Sequence, residues 1–266
     1  MTTNLKRVTS ADGTQIAVET VGRGWPVVLI GGAFNDRTTM AGLAQALSPY
    51  CQAVTYDRRG RGDSGDESGD YSADREIEDL RAVIGHVGGS AWLFGHSSGA
   101  VLALEAACRG LPVAKVAAYE TPFIPEGSRP RPAADVSERL VQLVQVGDRE
   151  AATALFQTEV IGLPAEMVEG MRHSDIWEDL TGLAHSLPYD CALFEPGCPV
   201  PSKRLAGIGV PTLAIAGSHT FPWLATATRQ VADAVPGARF ESLDGQDHGV
   251  LQQAEALVPC LREFLG

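Results

Sequence analysis

The sequence predicts an α/β protein in which a mostly parallel central sheet is flanked by helices, and three observations lead to this prediction. Short apolar runs such as residues 27–30 are typical of strands that are buried on both faces, as in parallel sheets. These runs alternate with helical patterns in the first half of the chain and again near its end. Between the two regions, residues 130–207 contain a series of helical patterns without a comparable strand.

The elements of the first half follow from local patterns. Two alternating segments, 5–10 and 15–21, flank Asp12-Gly13 and predict a β-hairpin at one edge of the sheet. A helix is predicted over 73–87 because apolar side chains recur there with helical spacing. The remaining strands are predicted at 27–30, 51–56, 90–94 and 113–119, and the remaining helices at 38–47 and 100–109.

Helical patterns dominate after the strand 113–119. They cover 136–146, 149–160, 165–177 and 177–187, after which the chain continues with strand 211–216, helix 223–235, strand 239–243 and a closing helix 250–264. Open α/β sheets place their sites at the carboxyl ends of the strands. We therefore interpret residues 124–206 as a helical lid inserted into a core domain that is formed by 1–123 and 207–266.

Length, composition and charge limit the class of protein. The chain has 266 residues, which suits one large domain or a core domain with a smaller insertion. Its formal net charge of −12 disfavours nucleic acid and anionic membranes as partners. We expect a small-molecule substrate, no nucleic-acid or membrane partner, and a protein that is a monomer or a homodimer.

The N-terminal residues and the cysteines indicate a compartment. No apolar run follows Met1–Arg7, and no segment reaches about 18 apolar residues, so neither a signal peptide nor a membrane span is predicted. The spacing of the five cysteines matches no zinc pattern. We expect five reduced thiols in a cytoplasmic protein without a metal site.

Residues 95–99, Gly-His-Ser-Ser-Gly, read G-x-S-x-G and lie between an apolar strand-like segment and a strong helix former. A sharp turn from strand to helix is the context in which this motif exposes a nucleophilic serine. Gly95 and Gly99 lack Cβ, so that the strand and the helix can approach closely. The N-terminus of the following helix favours negative charge at the same place. Ser97 is therefore the predicted nucleophile.

Four motifs, each following a predicted strand, resemble the α/β-hydrolase fold family over essentially the whole chain. They are Gly31-Gly32-Ala33, the loop Asp57–Ser64, the serine motif at 95–99, and Gly245-Gln246-Asp247-His248. More narrowly, the chain resembles the lidded serine esterases and lactonases of that family. The resemblance implies a catalytic triad with an oxyanion hole, no metal and no organic cofactor, and a structural role for the loop Asp57–Ser64.

The resemblance also assigns the general base. An alcohol needs a base within hydrogen-bond reach to act as a nucleophile at neutral pH. His248 lies in a loop between the last strand and the last helix, where the family keeps its base. His96 adjoins Ser97, and we expect it to point away from the serine into a structural slot that touches the pocket.

The third member of the triad departs from the common family pattern. The usual aspartate follows the strand 212–216, but this chain has Thr220 at that position. Glu120 ends the strand 113–119, and some relatives keep their acid there. The predicted triad is therefore Ser97, His248 and Glu120. Other candidates for the acid are Asp244, Asp247 and Asp190.

The resemblance nominates the backbone N–H groups of Ala33 and Ser98 as the oxyanion hole, with Phe34 as an alternative to Ala33. The candidate substrate pocket is apolar and partly aromatic, and its residues lie at strand ends or in the predicted lid. The candidates are Phe34, His96, Phe123, Phe156, Trp177, Tyr189, Phe221 and Trp223.

These residues predict a serine hydrolase that cleaves a carboxylic ester or lactone of a small, partly apolar substrate through an acyl-enzyme on Ser97. The same site would serve C–C bond hydrolysis, perhydrolysis, or biosynthetic cyclisation or acyl transfer. A serine nucleophile speaks against haloalkane dehalogenase and epoxide hydrolase, which use aspartate there. Since Thr220 replaces the usual acid, a non-catalytic ligand-binding protein on a hydrolase scaffold is the alternative from another class.

Overall fold

The computed structural model describes residues 5–66 and 71–266. These residues form an eight-stranded sheet with the order β1-β2-β4-β3-β5-β6-β7-β8. The strands are β1 (Lys6–Thr9), β2 (Gln15–Gly22), β3 (Pro26–Ile30), β4 (Gln52–Tyr56), β5 (Ala91–His96), β6 (Val113–Tyr119), β7 (Thr212–Gly217) and β8 (Arg239–Leu243). Residues 1–4 and 67–70 of the predicted core lie outside the described part of the chain.

Helices connect the strands. The α-helices are α1 (Ala41–Leu47), α2 (Ala73–His86), α3 (Ser98–Cys108), α4 (Val136–Gln145), α5 (Arg149–Leu155), α6 (Ala165–Met171), α7 (Ile176–Gly182), α8 (Leu187–Ala192), α9 (Ser202–Leu205), α10 (Pro222–Ala234) and α11 (Val258–Leu265). Short 3₁₀ segments cover Ala184–Ser186 and Val250–Leu257, and a π-helical segment covers Phe156–Ile161. None of the described helices is long and apolar enough to span a membrane.

The pairing of the strands confirms the predicted mostly parallel sheet. β1 and β2 form the antiparallel hairpin, and β2 is also antiparallel to β4, whereas the pairs from β4 through β3, β5, β6 and β7 to β8 are parallel. In register, Ile30 of β3 lies opposite Gly95 of β5, and Tyr119 of β6 lies opposite Ile215 of β7. The loops that follow these four strands therefore meet at one edge of the sheet.

The sheet is covered on both faces. Val28 and Ile30 of β3 belong to an apolar cluster with residues of α2, α3 and α10, whereas Val27 and Leu29 belong to a second cluster with residues of α1 and α11. All five residues of β3 are buried. The continuous apolar run of this strand thus reflects helices packed against both of its faces.

Residues 124–206, which we call the helical insertion, connect β6 to β7. Its helices share an apolar cluster of their own, which includes Leu140, Ala152 and Leu187. Ala33 and Phe34, from the loop after β3, are partly buried against this cluster. The insertion therefore lies over the loop that follows β3.

Local chemistry explains where the helices differ from the predictions. The helix predicted from residue 38 begins at Ala41, because Asp36 Oδ1 accepts hydrogen bonds from the backbone N–H and the hydroxyl of Thr38. The predicted closing helix is divided: Gln253 has non-helical angles, and α11 begins at Val258 with Pro259 in its first turn. In the insertion, the predicted helix 165–177 is divided into α6 and the start of α7.

The contact between β3 and the start of α3 gives a test of the fold. A Cβ at Gly99 would lie 2.6 Å from Gly31 O and closer still to Ile30 O, both of them backbone atoms. We expect Gly99→Ala to lower the free energy of unfolding by about 1–3 kcal/mol or more, because the backbone must move. Urea denaturation measures the change.

The matched control is Gly85→Ala in α2, where an added Cβ meets nothing within 4 Å. This variant should gain about 0.5–1 kcal/mol, since alanine favours a helix over glycine. Equal stabilities for the two variants would contradict the close approach of β3 and α3.

Candidate active site

The turn between β5 and α3 holds Ser97 in a strained conformation. Its φ of 57° and ψ of −125° are unfavourable for a residue with a Cβ. The Ser97 N–H donates to Tyr119 O at 2.9 Å, which ties the turn to the end of β6. The backbone of Gly32 packs closely against the serine, since a Cβ on Gly32 would lie 2.7 Å from Ser97 Cβ. Ser97 remains partly exposed at the tip of the turn.

Glu120 lies beside His248. The distance between His248 Nδ1 and Glu120 Oε2 is 2.6 Å, and the carboxylate is 0% exposed. Glu120 also accepts hydrogen bonds from Gly217 N at 2.8 Å and from Thr220 Oγ1 at 2.9 Å. The contact with the carboxylate keeps a proton on Nδ1 of the neutral imidazole, which leaves Nε2 available as a proton acceptor.

The position of Thr220 explains how the site accommodates a glutamate from a different strand. β6 and β7 are parallel neighbours, so the residues that follow them are adjacent. Thr220, which stands where the resemblance leads us to expect an aspartate, donates its hydroxyl to Glu120. Glu120 itself has a positive φ of 49°, a strained conformation for a residue with a Cβ.

The other candidate acids have different partners. Asp247 Oδ1 accepts from Gly249 N at 2.8 Å, and Asp244 lies 3.4 Å from the hydroxyl of Ser218. Asp190 is bound to two arginines and to Ser98. The structure thus brings Glu120, among the four candidate carboxylates, to the ring of His248.

His96 and Tyr119 bind the backbone of residues 245–248, which we call the histidine loop. His96 Nε2 lies 2.9 Å from His248 O, and the hydroxyl of Tyr119 donates to Asp247 O at 2.6 Å. The ring of His96 is 5.8 Å from that of Tyr119 and 4.8 Å from that of His248, centroid to centroid. His96 was predicted among the pocket residues, and the structure places its ring against the His248 backbone.

The charge state of His96 follows from its surroundings. Burial, together with the nearby His248, lowers the pKa of His96 to about 3. The ring is therefore neutral at physiological pH, and its one proton must be on Nε2 because the partner there is a carbonyl oxygen. His96 consequently acts as a hydrogen-bond donor to the loop.

Two backbone N–H groups lie next to Ser97. Ser98 is the first residue of α3, where backbone N–H groups have no acceptor within the helix. Ala33 follows Gly32, the residue whose backbone approaches Ser97 Cβ. The loop is folded back on itself, since Gly32 N donates to Asn35 Oδ1 at 2.9 Å and Phe34 has a φ of 58°. Both predicted oxyanion donors are thus next to the turn at residues 95–99, which we call the elbow.

The predicted pocket residues do not all come together. Phe34 and Phe156 form an edge-to-face pair with ring centroids 5.4 Å apart, where the insertion meets the loop after β3. The other aromatic candidates have different surroundings. Phe123 packs against Phe194 in a core cluster, Tyr189 stacks on Tyr71 and bonds to Asp66, Trp177 and Trp223 contact Arg172 and Arg129, and Phe221 is 45% exposed.

Sequence reasoning missed two groups of residues at the site. Tyr119 carries no motif, and only the sheet register brings its hydroxyl to the histidine loop. Arg58 and Arg61 belong to the loop Asp57–Ser64, to which the resemblance assigned a structural role, and the structure shows both buried beside the elbow. The density of charge in that loop was the signal available in the sequence. Among the described residues, no cluster of three or more His, Cys, Asp or Glu side chains is arranged to hold a metal ion.

The fold, the strained serine and the His–Glu pair together define the class of α/β hydrolases. The sequence profile of the alpha/beta hydrolase family matches residues 27–259, so the chain belongs to that family and is a hydrolase.

Solved structures agree with this assignment. An alpha/beta hydrolase from Sphaerobacter thermophilus DSM 20745 is 42% identical, with a TM-score of 0.92 over 98% of this chain and 100% of that one. A thermophilic esterase from Thermogutta terrifontis is 22% identical, with a TM-score of 0.72 over 98% of each chain. The enol-lactonase from Burkholderia xenovorans LB400 is 20% identical, with a TM-score of 0.73 over 98% of this chain and 99% of that one. No curated protein matches the sequence.

The neutral His96 predicts a specific dependence of stability on pH. In the unfolded chain a histidine takes up a proton below about pH 6.5, whereas the folded His96 stays neutral down to about pH 3. The stability that the neutral ring of His96 contributes is therefore fully present above the pKa of His96 in the unfolded chain. It is lost as the pH falls toward the pKa of His96 in the folded protein. Between pH 7 and pH 5, wild type should lose about 2 kcal/mol of unfolding free energy relative to His96→Phe.

Urea denaturation of both proteins at the two pH values measures this difference. The other titrating groups cancel when the two proteins are compared at each pH. A difference between wild type and variant that does not change with pH would mean that His96 takes up its proton at the same pH in the folded and the unfolded state, and would contradict the lowered pKa.

Proposed function

We propose that the protein hydrolyses a carboxylic ester or a lactone of a small, partly apolar substrate through an acyl-enzyme on Ser97. The observation that carries this proposal is the 2.6 Å contact between the buried Glu120 and His248 Nδ1, at the end of the strand to which the strained Ser97 is bonded through Tyr119 O. A carboxylate in that position orients the imidazole and stabilises the imidazolium that forms when Nε2 takes a proton.

The residues have defined roles in such a reaction. His248 Nε2 accepts the proton of the Ser97 hydroxyl as its oxygen attacks the carbonyl carbon, and the N–H groups of Ala33 and Ser98 stabilise the resulting oxyanion. The tetrahedral intermediate collapses as His248 returns the proton to the leaving alkoxide. Water, activated by His248, then attacks the acyl-enzyme and releases the acid.

The surroundings of Ser97 support an apolar acyl or alcohol group in the substrate. Phe34 and Phe156 place two aromatic rings beside the loop that carries the predicted oxyanion donor. Apolar and aromatic walls with a few directed polar groups are typical of sites for small molecules. Structures with the same fold include an esterase and an enol-lactonase, which act on the two proposed classes of bond.

The arrangement of Thr220 weakens the case for a non-catalytic binding protein. That alternative depended on the missing aspartate after β7. The hydrogen bond from Thr220 to Glu120 indicates that a carboxylate has been retained at the imidazole from the neighbouring strand.

Substitutions at Ser97 and Glu120 test the proposal. With p-nitrophenyl acetate and butyrate as substrates, Ser97→Ala should abolish turnover, and Glu120→Gln should lower kcat by about 10²–10⁴-fold, because the amide no longer stabilises the imidazolium. Thr220→Ala removes one of the donors to Glu120 but leaves the carboxylate, so its effect should stay below about tenfold.

The matched control is Glu255→Gln, the same substitution at an exposed position, which should retain full activity. A fluorophosphonate probe should label wild type and not Ser97→Ala, as read by intact mass. Undiminished turnover in Ser97→Ala would contradict the nucleophile, and undiminished turnover in Glu120→Gln would contradict the assigned acid.

A further inference from the structure

A second buried carboxylate lies next to the elbow and takes no part in the proposed reaction. Asp190, on α8 of the helical insertion, is 1% exposed and lies between Arg58 and Arg61, which are 2% and 1% exposed. Both arginines come from the loop after β4. Three charged side chains from two distant parts of the chain are therefore enclosed together.

The hydrogen bonds of Asp190 lead directly to the elbow. Its Oδ1 accepts from Ser98 Oγ at 2.6 Å and from Arg58 Nη1 at 2.8 Å, and its Oδ2 accepts from Arg61 Nη2 at 2.7 Å. Ser98 Oγ in turn accepts from Arg58 Nη1 at 3.2 Å. Asp190 thus fixes the side chain of the residue whose backbone N–H is one predicted oxyanion donor.

The second donor is reached through Arg61. Arg61 Nη1 donates to Gly32 O at 2.6 Å and lies 3.3 Å from Asn35 O. Gly32 C=O and Ala33 N–H belong to the same planar trans peptide group, so that a bond which holds the oxygen also aims the N–H in the opposite direction. Arg61 therefore determines where the Ala33 N–H points.

The charges make this arrangement depend on Asp190. Burial alone would raise the pKa of Asp190, but Arg61 and Arg58 outweigh it and hold the pKa below its usual range. Arg58 has a second carboxylate partner in Glu76, with Nε to Oε2 at 2.6 Å. In contrast, Arg61 has one carboxylate partner among the described residues, and that partner is Asp190. Without the charge of Asp190, the buried Arg61 would lose its ionic partner.

We propose that Asp190 is a positioning residue for the oxyanion hole, which it supports from the helical insertion. Through Arg61 it orients the peptide between Gly32 and Ala33, and through Ser98 Oγ it fixes the start of α3. The residue acts through these groups and does not contact the substrate. The inference rests on the proposed function, because the two N–H groups matter only when an oxyanion forms.

The test is Asp190→Asn, which keeps the shape and removes the charge. We expect kcat for p-nitrophenyl butyrate to fall by about 10–10³-fold with KM changed less than about threefold, because an oxyanion is stabilised only after attack. A trifluoromethyl ketone, which forms a tetrahedral adduct with the serine, should bind more weakly by about the factor lost in kcat/KM. The corresponding methyl ketone, which binds without forming a stable adduct, should bind as tightly as to wild type.

A structural role alone would give a different result. The pH profile of kcat/KM should keep its midpoint in Asp190→Asn, because Glu120 and His248 are unchanged, whereas a general distortion of the site would move it. The matched control is Glu150→Gln, which removes the carboxylate of an exposed ion pair to Arg172 within the insertion and should leave kcat unchanged. Circular dichroism verifies that each variant is folded.

Ser98→Ala provides a second test that leaves Asp190, Arg58 and Arg61 in place and removes only the hydroxyl that Asp190 and Arg58 share. The loss of its hydroxyl should lower kcat by about tenfold with an unchanged KM, less than the loss of a whole donor. An unaltered kcat in Ser98→Ala, or in folded Asp190→Asn, would overturn the inference, and so would equal losses of affinity for the two ketones. An inactive wild type contradicts the proposed function and this inference with it, whereas an active wild type with an unimpaired Asp190→Asn contradicts the inference alone.

Discussion

The hydrogen bonds of Glu120 are the interaction on which the rest of the site depends. A carboxylate with 0% exposure is costly unless its oxygens have partners, and Glu120 has three, from Gly217 N, Thr220 Oγ1 and His248 Nδ1. These partners belong to β7, to the loop after it and to the loop after β8. One carboxylate at the end of β6 thus joins three consecutive strand ends. His96 and Tyr119 also bind the backbone carbonyl groups of His248 and Asp247. The position of the His248 ring is therefore determined both by Glu120 and by the backbone of its loop.

Glu120 and Asp190 illustrate how the surroundings of a buried carboxylate determine its use. Neutral donors and an imidazole surround Glu120, so in the proposed reaction its charge is available to stabilise a proton on His248. Two guanidinium groups surround Asp190 and already balance its charge. A residue in the second situation stabilises a fixed arrangement and responds little to a new charge nearby. This contrast explains why Asp190 fits a positioning role, although its sequence position made it a candidate for the triad acid.

The sequence was sufficient to predict the strands, their mostly parallel arrangement and the elbow, because these depend on local apolar runs and on glycine at fixed positions. The family resemblance also led to Glu120, since some relatives keep their acid after the strand that contains residues 113–119. The aromatic pocket was harder to predict. Phe123, Tyr189 and Phe34 are all aromatic, so the sequence does not distinguish them. The packing of the insertion decides which of these side chains face the site. The partners of Asp190 could not be predicted either, because they lie between 92 and 132 positions away along the chain and only the packing of the insertion brings them together.

The helical insertion contacts two parts of the site, the aromatic pair of Phe34 and Phe156 and the backbone next to Ser97. It begins four residues after Glu120, close to the end of β6, and Ile124 N donates to Cys198 O at 2.7 Å, which ties its first residue to the segment between α8 and α9. From there it extends over the loop after β3, where Phe156 contacts Phe34. Its helix α8 then places Asp190 within hydrogen-bond distance of Ser98. A shift of these helices would therefore change the aromatic wall and the two backbone donors together. In the proposed reaction, the segment that carries Phe156 would also support, through the one buried carboxylate of Asp190, the two N–H groups assigned to the oxyanion.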